Sequence, residues 1–100
     1  APDSKLSVNG NIRARELVIE NQNWADYVFE TGYPLMAIDT LKKHVQQFKH
    51  LPGIPTATHI AAKGLSVSAV QSKMMEKIEE LSLYIIQLHE RITQLEKQPQ

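Results

Sequence analysis

The sequence predicts an α+β chain: an N-terminal β-hairpin or strands, a short helical subdomain, and a long C-terminal helix forming a parallel trimeric coiled coil. Three observations predict it. The stretch Lys5 to Ala14 alternates apolar and polar residues about Asn9-Gly10. Ile38, Leu41, Val45 and Phe48 recur at helical steps. Met74, Ile78, Leu81, Ile85, Leu88, Ile92 and Leu95 are separated by steps of 4, 3, 4, 3, 4 and 3. The boundary between the parts falls at residues 1–65, a small α+β unit, and 66–97, an oligomerisation helix.

In chain order, Lys5-Leu6-Ser7-Val8 and Asn11-Ile12-Arg13-Ala14 flank a strong tight-turn pair, so Leu6 and Val8 could face Ile12 and Ala14 across a hairpin. Leu17, Val18 and Ile19 continue a β-rich run. A lone two-stranded hairpin is marginal in water, so it needs something to pack on, or else Asn9-Gly10 only kinks a strand running along a fibre. Asn21-Gln22-Asn23 reads as a polar turn, and Trp24 to Phe29 holds three of the six aromatic residues. Trp24, Tyr27 and Tyr33 are either core or exposed ligand contacts; in a small domain aromatic side chains more often supply core. Gly32 and Pro34 mark a loop.

Asp39 to His50 reads as an amphipathic helix, with Asp39 in its first turn and Lys49 and His50 in its last, each suited to the helix dipole. Leu51-Pro52-Gly53-Ile54-Pro55 stops it, Pro52-Gly53 fitting the centre of a type II turn. Thr56 can cap a short helix through Ala62 that Gly64 ends. Ser66 or Ser68 can cap the long helix, and Ser68 with Gln71 makes a capping box. Pro99 disfavours helix in the residue before it, so the end frays near Lys97.

In that long helix the isoleucines at 78, 85 and 92 take heptad position a, and Met74, Leu81, Leu88 and Leu95 take d. The mean step of 3.5 residues favours a left-handed supercoil with partner helices. Burying seven such side chains contributes on the order of ten to twenty kcal/mol per chain before entropy is subtracted. Ile at a with Leu at d favours two parallel strands. Against this, Arg91, Ile92, Leu95 and Glu96 fall at g, a, d and e and resemble the short trimerisation motif of three-stranded coiled coils, in which the arginine lies along a neighbouring helix and pairs with its glutamate. Lys77, Ile78 and Leu81 begin a second copy, but Ser82 stands where the glutamate belongs. Met75, Leu83 and Ile86 form a second apolar stripe at e, f and b, so the first half of the helix should be covered by the preceding unit and the second half should project bare. Tyr84, at g, would sit at the border between chains.

Composition narrows the function. One hundred residues with 42% apolar content make one ordered domain. If a third of the chain is one extended helix, the remainder is too small to be stable alone without a metal, disulfides or partners. There is no cysteine, which leaves partners. Eleven basic and eleven acidic residues give a formal net charge of zero, with nothing to capture nucleic acid or an anionic surface. No apolar run is long enough to cross a bilayer. Ala1-Pro2-Asp3 reads as a cut inside a longer protein. Among the four histidines, His44, His50 and His59 lack zinc spacing, and His89 at e would ring the flank of a seam rather than its axis. Glu79-Glu80 has no accompanying nucleophile, base or phosphate loop. No cofactor or metal is expected.

The order of pieces resembles a C-terminal module found at the ends of bacterial and phage tail-fibre-like surface proteins. KLSVNGNIRARE, NWADYVFE, YPLMAIDTLKKHV, KHLPGIPTA and KIEELSLYIIQL carry the likeness, most specifically His50 to Pro55 and Glu76 to Leu88. The resemblance spans nearly the whole chain. It departs at Ser66, where an acidic residue is common, and at Ala37, where Ser or Thr is; both positions belong to helix caps. It implies repetitive shafts upstream, an extracellular, cell-surface or virion location, and a homotrimeric end that registers chains during folding. It implies no catalytic activity. Some fibre ends carry a self-cleaving intramolecular chaperone with a catalytic serine and lysine, but Ser4-Lys5 lacks the surrounding motif and no catalytic residue is transferred. The expected function is therefore homotrimerisation and folding registration, with a dimer as the second oligomeric choice. A glycan- or receptor-binding fibre tip using Trp24, Tyr27 and Tyr33 is the alternative.

Overall fold

A computed structural model describes residues 4–98; the Ala1-Pro2-Asp3 opening and Pro99 lie outside the described residues. Three helices follow in order: α1 (Ile38–Phe48), α2 (Ala57–Lys63) and α3 (Val67–Lys97). No β-strand occurs among the described residues. The expected N-terminal hairpin, and with it the α+β class, is therefore corrected to an all-helical chain with a long irregular N-terminal part. The physical reason is the one that makes isolated hairpins marginal. Leu6, Val8, Ile12, Leu17, Val18 and Ile19 are all exposed, so the alternating face has nothing to pack on, and no ladder forms across Asn9-Gly10.

α1 starts one residue earlier and ends two earlier than the sequence suggests. Lys49 is its C-cap, in the left-handed conformation at φ 61°, so neither Lys49 nor His50 lies in the last turn. Ala37 is the N-cap and has no side chain able to accept a hydrogen bond. The turn that follows matches its sequence signature: the Ile54 amide donates to the Leu51 carbonyl at 3.2 Å, with Gly53 at φ 78°. Only glycine adopts that backbone readily at the third position of a type II turn. α2 opens with the Thr56 hydroxyl accepting from the His59 amide at 3.2 Å and ends at Gly64. For α3 the N-cap is Ser66, but its hydroxyl makes no capping bond. Ser68 lies inside the first turn, so no capping box forms there.

Little of the chain is shut away from solvent. Ala25, Val28, Tyr84 and Glu76 are the buried residues among those described, and no two helices pack closely along their length. The radius of gyration is 19.0 Å, against roughly 13 Å for a compact domain of this size. Residues 21–36 lie against α3.

Candidate oligomerisation surface

Five hydrogen bonds tie the 21–36 segment to α3, in strict chain order. The Asn21 side-chain Nδ2 donates to the Ser68 carbonyl at 2.9 Å. The Ser72 hydroxyl donates to the Asn23 carbonyl at 2.9 Å. The Tyr27 hydroxyl donates to Glu76 Oε1 at 2.8 Å, and the Tyr33 hydroxyl to Glu80 Oε2. The Tyr84 hydroxyl donates to the Met36 carbonyl at 2.6 Å. Partners are 47 to 49 residues apart throughout, so the segment runs parallel to the helix in fixed register.

The helix residues in these bonds are 68, 72, 76, 80 and 84. Steps of four advance about 40° each around an α-helix, so the row winds obliquely. In heptad terms it passes through e, b, f, c and g. It therefore crosses the whole outer side of α3 from one flank of the seam to the other and touches neither a nor d. Ala25 and Val28 are buried within the segment, and the Tyr27 and Tyr33 rings stack at 5.9 Å between centroids. Of the expected second stripe, Met75 and Leu83 are half-buried while Ile86 remains exposed. The cover is made mainly by the polar row, which stops at Tyr84. From Ile85 to Lys97 every residue except Thr93 is exposed.

Charges along the row are arranged to hold it. Lys73 Nζ lies 3.3 Å from Glu76 and Lys77 Nζ 3.1 Å from Glu80. Burial pushes the Glu76 carboxyl upward, but the Tyr27 hydroxyl and the Lys73 ammonium outweigh it and leave the group below its ordinary value. Tyr27 is raised by its hydrogen bond to Glu76 and by burial. Tyr33 is raised by burial and by its bond to Glu80, and Tyr84 by burial and the nearby Glu80 charge. All three phenols are thus held neutral as donors.

On the uncovered side, Met74, Ile78, Leu81, Ile85, Leu88, Ile92 and Leu95 are 50 to 66% exposed. They form one unbroken apolar line along a helix otherwise rich in charge. Arg91 and Glu96 are exposed and take part in no ion pair among the described residues. Five residues apart, they do not face each other on one helix; the g and e positions they occupy face each other between neighbouring parallel helices. Tyr84, expected at the border between chains, is buried and bonds its own chain at the Met36 carbonyl. Of the aromatic trio, Tyr27 and Tyr33 have their hydroxyls committed to α3, and Trp24 is about half exposed.

The row of intrachain tethers escaped sequence reading because it is polar: Ser68, Ser72, Glu76 and Glu80 look like a solvated face. The usable signal is the match between two glutamates four apart and two tyrosines about 48 residues earlier. Among the described residues, no group of three or more His, Asp or Glu could hold a metal ion and no helix is long and apolar enough to cross a membrane. No family model, curated protein or solved structure matches the chain.

Proposed function

We propose that this chain is a homotrimerisation and folding-registration module, whose long helices associate in parallel through the a/d seam at the C-terminal end of a fibre-like or cell-surface protein. One observation carries the reading. The chain spends its own residues covering e, b, f, c and g of α3, and leaves a and d bare. A helix whose apolar seam were meant for its own domain would have that seam covered first. An exposed line of seven large apolar residues is what a partner helix requires. Arg91 and Glu96, unable to pair within one helix, are placed to pair between parallel helices, and the resemblance of their string to the trimerisation motif favours three chains over two.

The test is sedimentation equilibrium over a concentration series, on the parent chain and on Ile85→Asp. A threefold mass for the parent and dissociation of the variant support the reading. A twofold mass replaces the trimer with the two-stranded arrangement that Ile at a and Leu at d prefer. A monomer at every concentration, or an Ile85→Asp assembly with unchanged mass and melting, overturns it. The alternative, a glycan- or receptor-binding tip, rests on Trp24 alone, since the hydroxyls of Tyr27 and Tyr33 are engaged within the chain.

A further inference from the structure

The seam does not account for all the apolar surface the chain exposes. Accessible surface is 9193 Å², whereas a compact folded chain of 11.3 kDa exposes about 5,700 Å². At roughly 100 Å² for each half-exposed side chain, the seam supplies about 700 Å² of the difference. Part of the rest belongs to the rod shape of α3 and to residues 4–20. Another part is α1. None of its eleven residues is buried, and Ile38, Val45 and Phe48 on its apolar face are exposed.

The position of α1 says what covers that face. Leu41 and Leu51 share a shallow pocket with Leu81, a d residue, and Tyr84, a g residue. The α1 face is therefore continuous with the seam and stands on its g flank. In a parallel coiled coil the g flank of one helix faces the e flank of the next. Beside that flank, at b, Ile86 is left exposed beyond the end of the covering segment. The heights agree. Met36 is fixed at the level of Tyr84 by the 2.6 Å bond, and Ile86 stands about 3 Å further along the helix. Ile38 lies two residues beyond Met36.

We infer that the apolar face of α1 seats on the e and b flank of α3 of a neighbouring copy, with Ile38 against the neighbour's Ile86. The occupant is a second copy of this chain, and the inference rests on the parallel trimer proposed above. Each copy then both gives and receives one α1, which makes the contact a closed ring around the seam rather than a set of separate pairs.

The chain contains no cysteine, so engineered thiols report without interference. Full-length Ile38→Cys and Ile86→Cys chains are unfolded together, co-refolded, oxidised and digested, and the linked peptides identified by mass. Because each chain carries one thiol, a disulfide joining positions 38 and 86 must lie between copies. The expected result is that this link predominates over 38–38 and 86–86 links. In parallel, Ile38→Asp raises the concentration at which the assembly dissociates at least tenfold, while the mass at saturation stays that of the parent. An assembly of unchanged mass that forms no 38–86 link, or whose dissociation is untouched by Ile38→Asp, overturns the docking of α1 and leaves the seam reading standing. A chain that never assembles overturns both.

Discussion

At the scale of single residues, the tyrosines decide how α3 is dressed. Tyr27, Tyr33 and Tyr84 each donate a hydroxyl hydrogen bond to an acceptor across a gap of 47 to 49 residues. Tyr27→Phe removes one donor and leaves the buried Glu76 carboxylate with Lys73 alone. A net hydrogen bond to a charged group contributes about 1.5–3 kcal/mol when buried; Tyr27 is partly exposed, so the expected loss is about 1 kcal/mol, read by urea unfolding at fixed protein concentration. The pH profile follows from the directions of shift. Glu76 is held below its ordinary 4.5, so its contribution is complete above that value and is lost as pH falls through the depressed one. The phenols are held above their ordinary 10.0, so theirs is complete below pH 10 and is lost as pH rises from there through the folded values. Stability should be flat near neutrality and fall on both sides. In Tyr27→Phe both limbs should be shallower, because Glu76 is then less depressed in the folded state and one raised phenol is gone. A profile unchanged by the substitution would mean that the tether adds nothing. Helix caps offer a second test. Ala37 caps α1 with no side-chain acceptor, and Ala37→Asp should add about 1 kcal/mol, seen as a higher unfolding midpoint.

At the scale of elements, α3 was readable because its signal is periodic and long, and because the residues that set it are apolar. Thr56, Pro52-Gly53 and Gly64 were readable because their roles are local and stereochemical. The N-terminal strands were misread for a related reason. Alternation at Leu6, Val8, Ile12 and Ala14 reports a local preference for extended backbone, whereas a strand exists only when a neighbour accepts its hydrogen bonds. Nothing among the described residues does so for residues 5–20. Tyr84 bonds its own chain at Met36; the g position has two uses, facing a partner helix or facing the chain's own cover, and periodicity does not distinguish them. The 21–36 segment has no regular period at all. Its order comes from specific pairs, such as Asn21 with the Ser68 carbonyl, that leave no pattern in composition.

At the scale of the whole molecule, a chain with four buried residues among those described cannot draw its stability from an interior of its own. Under the trimer proposed above, stability and association are one quantity. The melting temperature should rise with protein concentration, as mass action requires when only the assembled form is folded; calorimetry over a hundredfold dilution series measures it. A midpoint independent of concentration would place the stabilising contacts inside a single chain. Raised salt should weaken the assembly only modestly, because the line of contact is apolar and surface ion pairs contribute little.

The fixed register between residues 21–36 and α3 also sets a timetable. A ribosome makes the segment first, and its acceptors and donors on α3 do not exist until some four dozen residues later. Helical turns in α3 form locally and fast, while each of the five ties must close a loop of that length. The early-made stretch therefore waits, unwrapped, for the late-made one to become a rod on which it can be laid. Under this arrangement a ribosome that stalls before it has made Ser68 releases a segment with no track to follow, and the helix is dressed only once Tyr84 has been added.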